Sequence, residues 1–286
     1  VEKKITIHAL DGSSIGALIG AYYARHTTIK GLEQITTNLD FRNLLKLIDP
    51  NFFLLLKGFI SGKKVEDLLN LILGDIKFKD LKIPLTVIAT DIRSGEEIRF
   101  TKGSVSKAVR ASISMPAIFT PFKYKNRYLI DGGISNPMPV NVLREENVLF
   151  IIAANVVKKH SHHLSSRQEK KHSAAETILI DKVNNEISRY AHENKNLLSP
   201  VRSFFTQFSA KNRKRLFGID LNAPSVFETI AGALYTMEHQ LVKTRLADAD
   251  LVISPRVEHI ATLDFQRARE AIDAGYKNAM DKLSNR

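Results

Sequence analysis

Short apolar runs alternate with helix-like segments along this chain, and that alternation limits its fold more than any other feature. "IPLTVIATDI" and "NVLFIIAANVV" are apolar at almost every position. A strand wetted on one face alternates apolar and polar residues. A continuous run needs cover on both faces, as central strands of parallel sheets have. A short buried strand is expected at Ile5–Leu10, followed by "DGSSIG" and a helix through "ALIGAYYARH". Residues 32–73 hold several apolar-periodic pieces that read as helices, interrupted near Asp49-Pro50 and Gly62. "RSGEE" is a turn signal with "EIRF" as the returning strand; Val105–Arg110 reads as a short helix. "RYLIDGG" reads as a strand ending in a glycine turn. Further helices are expected at 174–193 and 226–246, a last strand at "DLVISP" and a closing helix at 264–282. This pattern argues an α/β class, with a three-layer α/β/α sandwich around a mostly parallel central sheet. No internal repeat or long linker divides the 286 residues, so they read as a single domain with a basic insertion at 157–224.

Composition removes several function classes. With no cysteine, the chain has no disulfide scaffold, thiolate zinc site or cysteine nucleophile. Its apolar runs fall short of the ~18 residues of a membrane-spanning helix. The first residue is Val1 rather than Met, which suggests a start other than the native one. The net charge of +12 is local: Val156–Phe217 holds 13 Lys and Arg against five Asp and Glu. Within it, Phe204, Phe205 and Phe208 have helical spacing and precede the cationic cluster Lys211, Arg213, Lys214 and Arg215. Such a segment suits an amphipathic helix on anionic lipid, each basic residue adding about 1 kcal/mol. A helix packed on its own domain with a solvated basic face fits the same pattern. No nucleic-acid motif accompanies the charge, so no nucleic acid is expected as a partner. "HSHH" has no carboxylate at ligand spacing within it, which argues against a metal site.

Gly12-Ser13-Ser14-Ile15-Gly16 is a G-x-S-x-G between an expected strand and an expected helix, the context such a serine elbow needs. Ser14 would sit at the tip of a tight turn. Gly12 and Gly16 would remove Cβ atoms where strand and helix cross. The positive end of the helix would face an oxyanion forming at Ser14. A serine needs a partner to take its proton. Five histidines lie in the basic segment, His8 in the first strand and His239 in a helix; His259 occupies a loop, and none of these has a motif around it. Asp131 is a better candidate. It ends "RYLI" and precedes Gly132 and Gly133, which allow close approach of backbone or substrate. Apolar neighbours would raise its pKa and make it a better base. Asp91 is a rival strand-end acid, although "TDIRSGEE" reads more simply as a hairpin turn.

"GSSIGALIGAYYA", "RASISMPAIFTPF" and "YLIDGGISNPMPV" together resemble the patatin-like phospholipase family, most closely its bacterial branch related to neuropathy target esterase. "APSVFETIAGALYTMEHQLVKTRLADADLVISPRV" and "LDFQRAREAIDAGYKNAM" resemble the same branch, so the likeness covers nearly the whole chain. The resemblance implies a patatin-like fold and a lipid acyl hydrolase, of phospholipase A or lysophospholipase type, that needs no metal or cofactor. It implies Ser14 as nucleophile and Asp131 as base, in a Ser–Asp dyad without histidine. Phospholipid or lysophospholipid would be the substrate and an anionic membrane surface a possible partner. The location would be cytoplasmic or peripheral at the inner face of a bacterial membrane, with secretion left open.

One departure matters. The family builds its oxyanion hole from a glycine-rich loop before the elbow strand, yet only 13 residues precede Ser14 and none before Gly12 is glycine. Losing even one oxyanion donor typically costs about 3 kcal/mol. The chain as written is therefore expected to be an N-terminally incomplete domain with weak or no activity. Two other readings stand beside the lipid hydrolase: a non-catalytic membrane- or protein-binding module of the same fold, and an esterase or thioesterase acting on soluble substrates through the same dyad.

Overall fold

A computed structural model describes residues 5–38, 62–116, 118–157, 226–260 and 265–284. The expected insertion beyond Val157 and the helix at 174–193 lie outside these residues, as do Lys211, Arg213, Lys214 and Arg215.

The centre is β2 (Leu85–Asp91), buried at every position. One edge of β2 pairs antiparallel with β3 (Glu97–Phe100), returning through the expected hairpin. The other edge takes two strands in succession. β1 (Leu10–Ser13) pairs parallel with residues 85–88 of β2, and β5 (Arg127–Asp131) pairs antiparallel with residues 89–91. β4 (Phe122–Tyr124) adds to β5 through a tight turn with Lys125 at φ 53°. The α/β class holds, with a mixed sheet, because two of its connections are hairpins and only β1 arrives by a crossover.

Helix α1 (Ile15–His26) follows β1 directly. Ala17, Ala21 and Ala24 recur at helical spacing and are fully buried, so its axis lies close to the sheet. α2 (Lys30–Thr37) and α3 (Gly62–Leu73) come next. α4 (Val105–Ser112) starts at a Ser104 cap and buries Val105, Ala108 and Val109 against β2 and β5. α1, α3, α4 and the strands share one apolar core. α5 (Val140–Glu145), α6 (Val226–Arg245) and a parallel pair, β6 (Ile152–Ala154) with β7 (Leu251–Ile253), enclose a smaller one. α7 (Ala268–Ser284) packs on β7.

Two expected strands are shorter than their apolar runs. Ile5–Ala9 is not strand, Ile5 and Ile7 are exposed, and the ladder begins at Leu10, so His8 precedes the strand. In "NVLFIIAANVV" only Ile152–Ala154 is strand; Leu149 is 92% and Phe150 51% exposed. Arg144 holds the carbonyls of Val148 and Leu149, while Asp250 takes the N–H of Ile151. These bonds fix the segment as a turn until the three-residue partner β7 is reached. An apolar run reports a tendency to be buried, and only a partner makes it a strand.

Candidate active site

The register of β2 brings the candidate residues together. β1 and β5 approach the same edge of β2 from opposite directions and stop tip to tip. Ser13 stands opposite Ile88, and Asp131 opposite the next residue, Ala89. The chain turns away at both tips, into α1 after Ser14 and into a 3-10 turn at Gly132–Ile134 after Asp131. Ser14 Oγ donates to Asp131 Oδ2 at 2.6 Å.

The elbow is sterically demanding. Ser14 has φ 53° and ψ −125°, a conformation that disfavours a side chain. A Cβ on Gly12 would lie 2.6 Å from the Gly16 carbonyl carbon and 2.7 Å from Ala17 N, both backbone atoms of α1. Gly12 therefore has no alternative there. The expectation for Gly16 was wrong in this respect: a Cβ there meets nothing within 4 Å. Gly12 faces the Gly16 backbone, and the Gly16 Cβ direction turns away from the strand. Serines at helix starts commonly cap the helix through Oγ. Ser14 makes no such bond, its hydroxyl being engaged by Asp131. The first N–H groups of α1 lie just beyond it, at the positive end of the helix.

Two further contacts hold the elbow. Ser112 Oγ, fully buried at the end of α4, accepts from Ser14 N at 2.8 Å. Ser13 Oγ donates to the Asn136 carbonyl at 2.5 Å.

Asp131 is 2% exposed. Its N–H donates to the Ser114 carbonyl, its carbonyl accepts from Thr90 Oγ1, and its Oδ1 accepts from Gly133 N at 2.8 Å. Arg110, itself buried, donates to Ser114 Oγ at 2.6 Å and so braces the segment on which Asp131 hangs. A Cβ on Gly132 would lie 2.2 Å from the Ile88 carbonyl oxygen, so glycine is needed to bring the turn this close to β2. Burial pushes the Asp131 carboxyl up to about 6, against the opposing effect of the Ser14 and Gly133 hydrogen bonds. A carboxylate held this way is basic enough to accept a proton and sits within reach of the hydroxyl that would supply it.

The rival acids do other things. Asp91 accepts from the N–H groups of Arg93 and Ser94, and these bonds, the Arg93 one foremost, hold its carboxyl below the usual range with a smaller contribution from Arg127 at 3.4 Å; it is a turn residue. His259 bonds Glu270 of α7 at 2.6 Å. Burial raises Asp11 to about 7, and its Oδ2 has no partner among the described residues. It borders a cavity of about 760 Å³ with Leu10, Lys77 and Phe78 that includes neither Ser14 nor Asp131. The elbow serine and its carboxylate partner lie elsewhere, so that cavity is not the candidate site. "HSHH" lies outside the described residues, and among those described no helix is long and apolar enough to cross a membrane.

Sequence reasoning missed Ser112 and Glu238. Ser112 sits inside "RASIS", which carried the family likeness without indicating a role. Glu238 is a single acid on α6 with no sequence signal; the fold sets it against Gly133.

The sequence profile of the patatin-like phospholipase family matches residues 2–144. An NTE family protein of Mycobacterium bovis, named as uncharacterized, is 31% identical over 155 residues, 54% of this chain and 42% of that protein. Neuropathy target esterase sws of Drosophila melanogaster is 29% identical over 163 residues, 54% of this chain and 11% of that protein. The matched region thus spans less than half the length of these relatives. The family profile covers half of the chain, including the Ser14 elbow and the Asp131 turn, and the chain belongs to the patatin-like phospholipase family, related to neuropathy target esterase.

Proposed function

We propose that this protein is a serine acyl hydrolase of phospholipase A or lysophospholipase type, cleaving carboxylic esters of lipids through Ser14 and Asp131. One observation carries the reading: the 2.6 Å bond from Ser14 Oγ to a buried carboxylate whose pKa is raised toward neutrality. Asp131 takes the Ser14 proton as Oγ attacks the ester carbonyl. The oxyanion forms beside the first N–H groups of α1, and Asp131 returns the proton to the departing alcohol. Water activated by the same carboxylate then releases the acyl group. No step calls on histidine, metal or cofactor. The cationic cluster Lys211, Arg213, Lys214 and Arg215 would dock the enzyme on anionic lipid, peripherally at the inner membrane face.

The test is labelling with a fluorophosphonate that reacts with activated serines. Wild type labels, Ser14→Ala does not, and Asp131→Asn labels at least ~100-fold more slowly. Labelling that survives Ser14→Ala refutes the nucleophile. Intact labelling with turnover of soluble esters or thioesters, and of no lipid ester, points to those substrates instead.

A further inference from the structure

α6 packs against the Gly132–Ile134 turn and points Glu238 at the back of the candidate base. A Cβ built on Gly133 would lie 2.8 Å from Glu238 Oε1 and 3.1 Å from Asp131 Oδ1. Both carboxyls therefore face one small space, kept open because residue 133 has no side chain. The two oxygens of Asp131 have separate surroundings. Oδ2 holds Ser14, while Oδ1 holds the Gly133 N–H on the side where Glu238 lies.

We propose that Glu238 is a positioning residue of this site, which strengthens Asp131 as a base from the side opposite Ser14. The proposal rests on the Ser14–Asp131 reading and deepens it. During attack, negative charge leaves Asp131 and reappears on the oxyanion. A second carboxylate behind Asp131 repels the charge it holds at the start and so favours its departure.

The surrounding charges agree. Burial raises Glu238 to about 7, with the Asp131 charge as the second cause. β5 contributes Asp131 and, four residues earlier at its other end, Arg127; the Gly132–Ile134 turn contributes no charged side chain, and the Leu246–Asp248 turn contributes Asp248. Asp248 follows Glu238 by ten residues, about 15 Å along a helix. On α6 itself, His239 is the next residue, and Lys243 and Arg245 come five and seven residues later. Two carboxyls this close titrate as a pair in two steps. Asp131 ionises first, at about 6, and Glu238 follows at about 7. Only the second ionisation places two like charges behind the serine.

The rate of fluorophosphonate labelling of Ser14, followed from pH 4.5 to pH 9, tests this. Wild type rises in two steps, the second adding about threefold if half of a tenfold gain in basicity on a logarithmic scale reaches the transition state. Glu238→Gln, of the same shape but never charged, keeps the first step and loses the second. A second step that persists in Glu238→Gln overturns the proposal while Ser14→Ala, by abolishing labelling, leaves the dyad standing. Labelling that survives Ser14→Ala removes the dyad and the proposal together. A measurement independent of turnover uses ¹³C NMR of the carboxyl carbons. In Asp131→Asn, Glu238 should titrate about 1 pH unit lower than in wild type. An unchanged Glu238 titration overturns the proposal.

Discussion

Asp131→Asn should abolish the reaction and stabilise the protein, by an amount set by pH. In the fold the Asp131 carboxyl titrates at about 6 against an ordinary 3.8, with burial as the leading cause. The folded state therefore keeps a proton that the unfolded chain has released. Well below pH 3.8 both states are protonated and the aspartate destabilises nothing. As pH rises through the window from 3.8 to about 6, the wild type loses stability, and above it the full difference remains. Each pH unit of the difference is worth about 1.4 kcal/mol, or about 3 kcal/mol in all. At 2% exposure, solvent screening takes little from this figure. Asparagine keeps the shape and an acceptor for the Gly133 N–H without the charge. Chemical denaturation of both proteins at pH 4 and pH 8 measures the effect. The variant should gain about 3 kcal/mol at pH 8, about 8 °C in melting temperature for a chain of this size, and only about 0.5 kcal/mol at pH 4. Equal stabilities at pH 8, or a gain independent of pH, would refute the claim that Asp131 is held ionised in the fold at the expense of stability.

The two elbow glycines should differ sharply. Gly12→Ala drives a Cβ into the backbone of α1, should destabilise by about 3 kcal/mol or more, and should abolish labelling at Ser14. Gly16→Ala meets nothing within 4 Å and should be neutral or stabilise by about 0.5–1 kcal/mol, by the helix preference for alanine; thermal melts compare them. Ser112→Ala leaves the Ser14 N–H without its 2.8 Å acceptor, which should cost about 1–3 kcal/mol and slow labelling severalfold at unchanged pH dependence. Neutralising Lys211, Arg213, Lys214 and Arg215 together should lower co-sedimentation with anionic vesicles and leave neutral vesicles unaffected. Unchanged binding to anionic vesicles rejects the membrane role.

Much of the site was legible because elbow chemistry is local. A serine between two glycines, after a strand and before a helix, describes a turn that neighbours along the chain can build, and Gly12 against the Gly16 and Ala17 backbone is that local geometry. The Asp-Gly-Gly turn was legible for the same reason, since Gly132 must clear the Ile88 carbonyl. The hairpin at "RSGEE" and the helices beginning at Val105 and Val226 were likewise written in turn residues and periodicity. Strand lengths were less legible. Leu149 and Phe150 are apolar but exposed, because a run of β-prone residues cannot indicate where its partner strand ends.

The sequence by itself determined which residues could react: a hydroxyl on a constrained turn and a carboxylate beside two glycines, with no cysteine to compete. Tertiary structure decided that they meet. Ser14 and Asp131 are 117 residues apart in the chain, and they touch because β1 and β5 end against neighbouring residues of one edge of β2. It also decided what surrounds them. Ser112 under the elbow, Arg110 behind Ser114 and Glu238 behind Gly133 come from helices distant in sequence. Local rules govern turns through backbone sterics. Burial, and with it the basicity of Asp131, depends on every element packed around it.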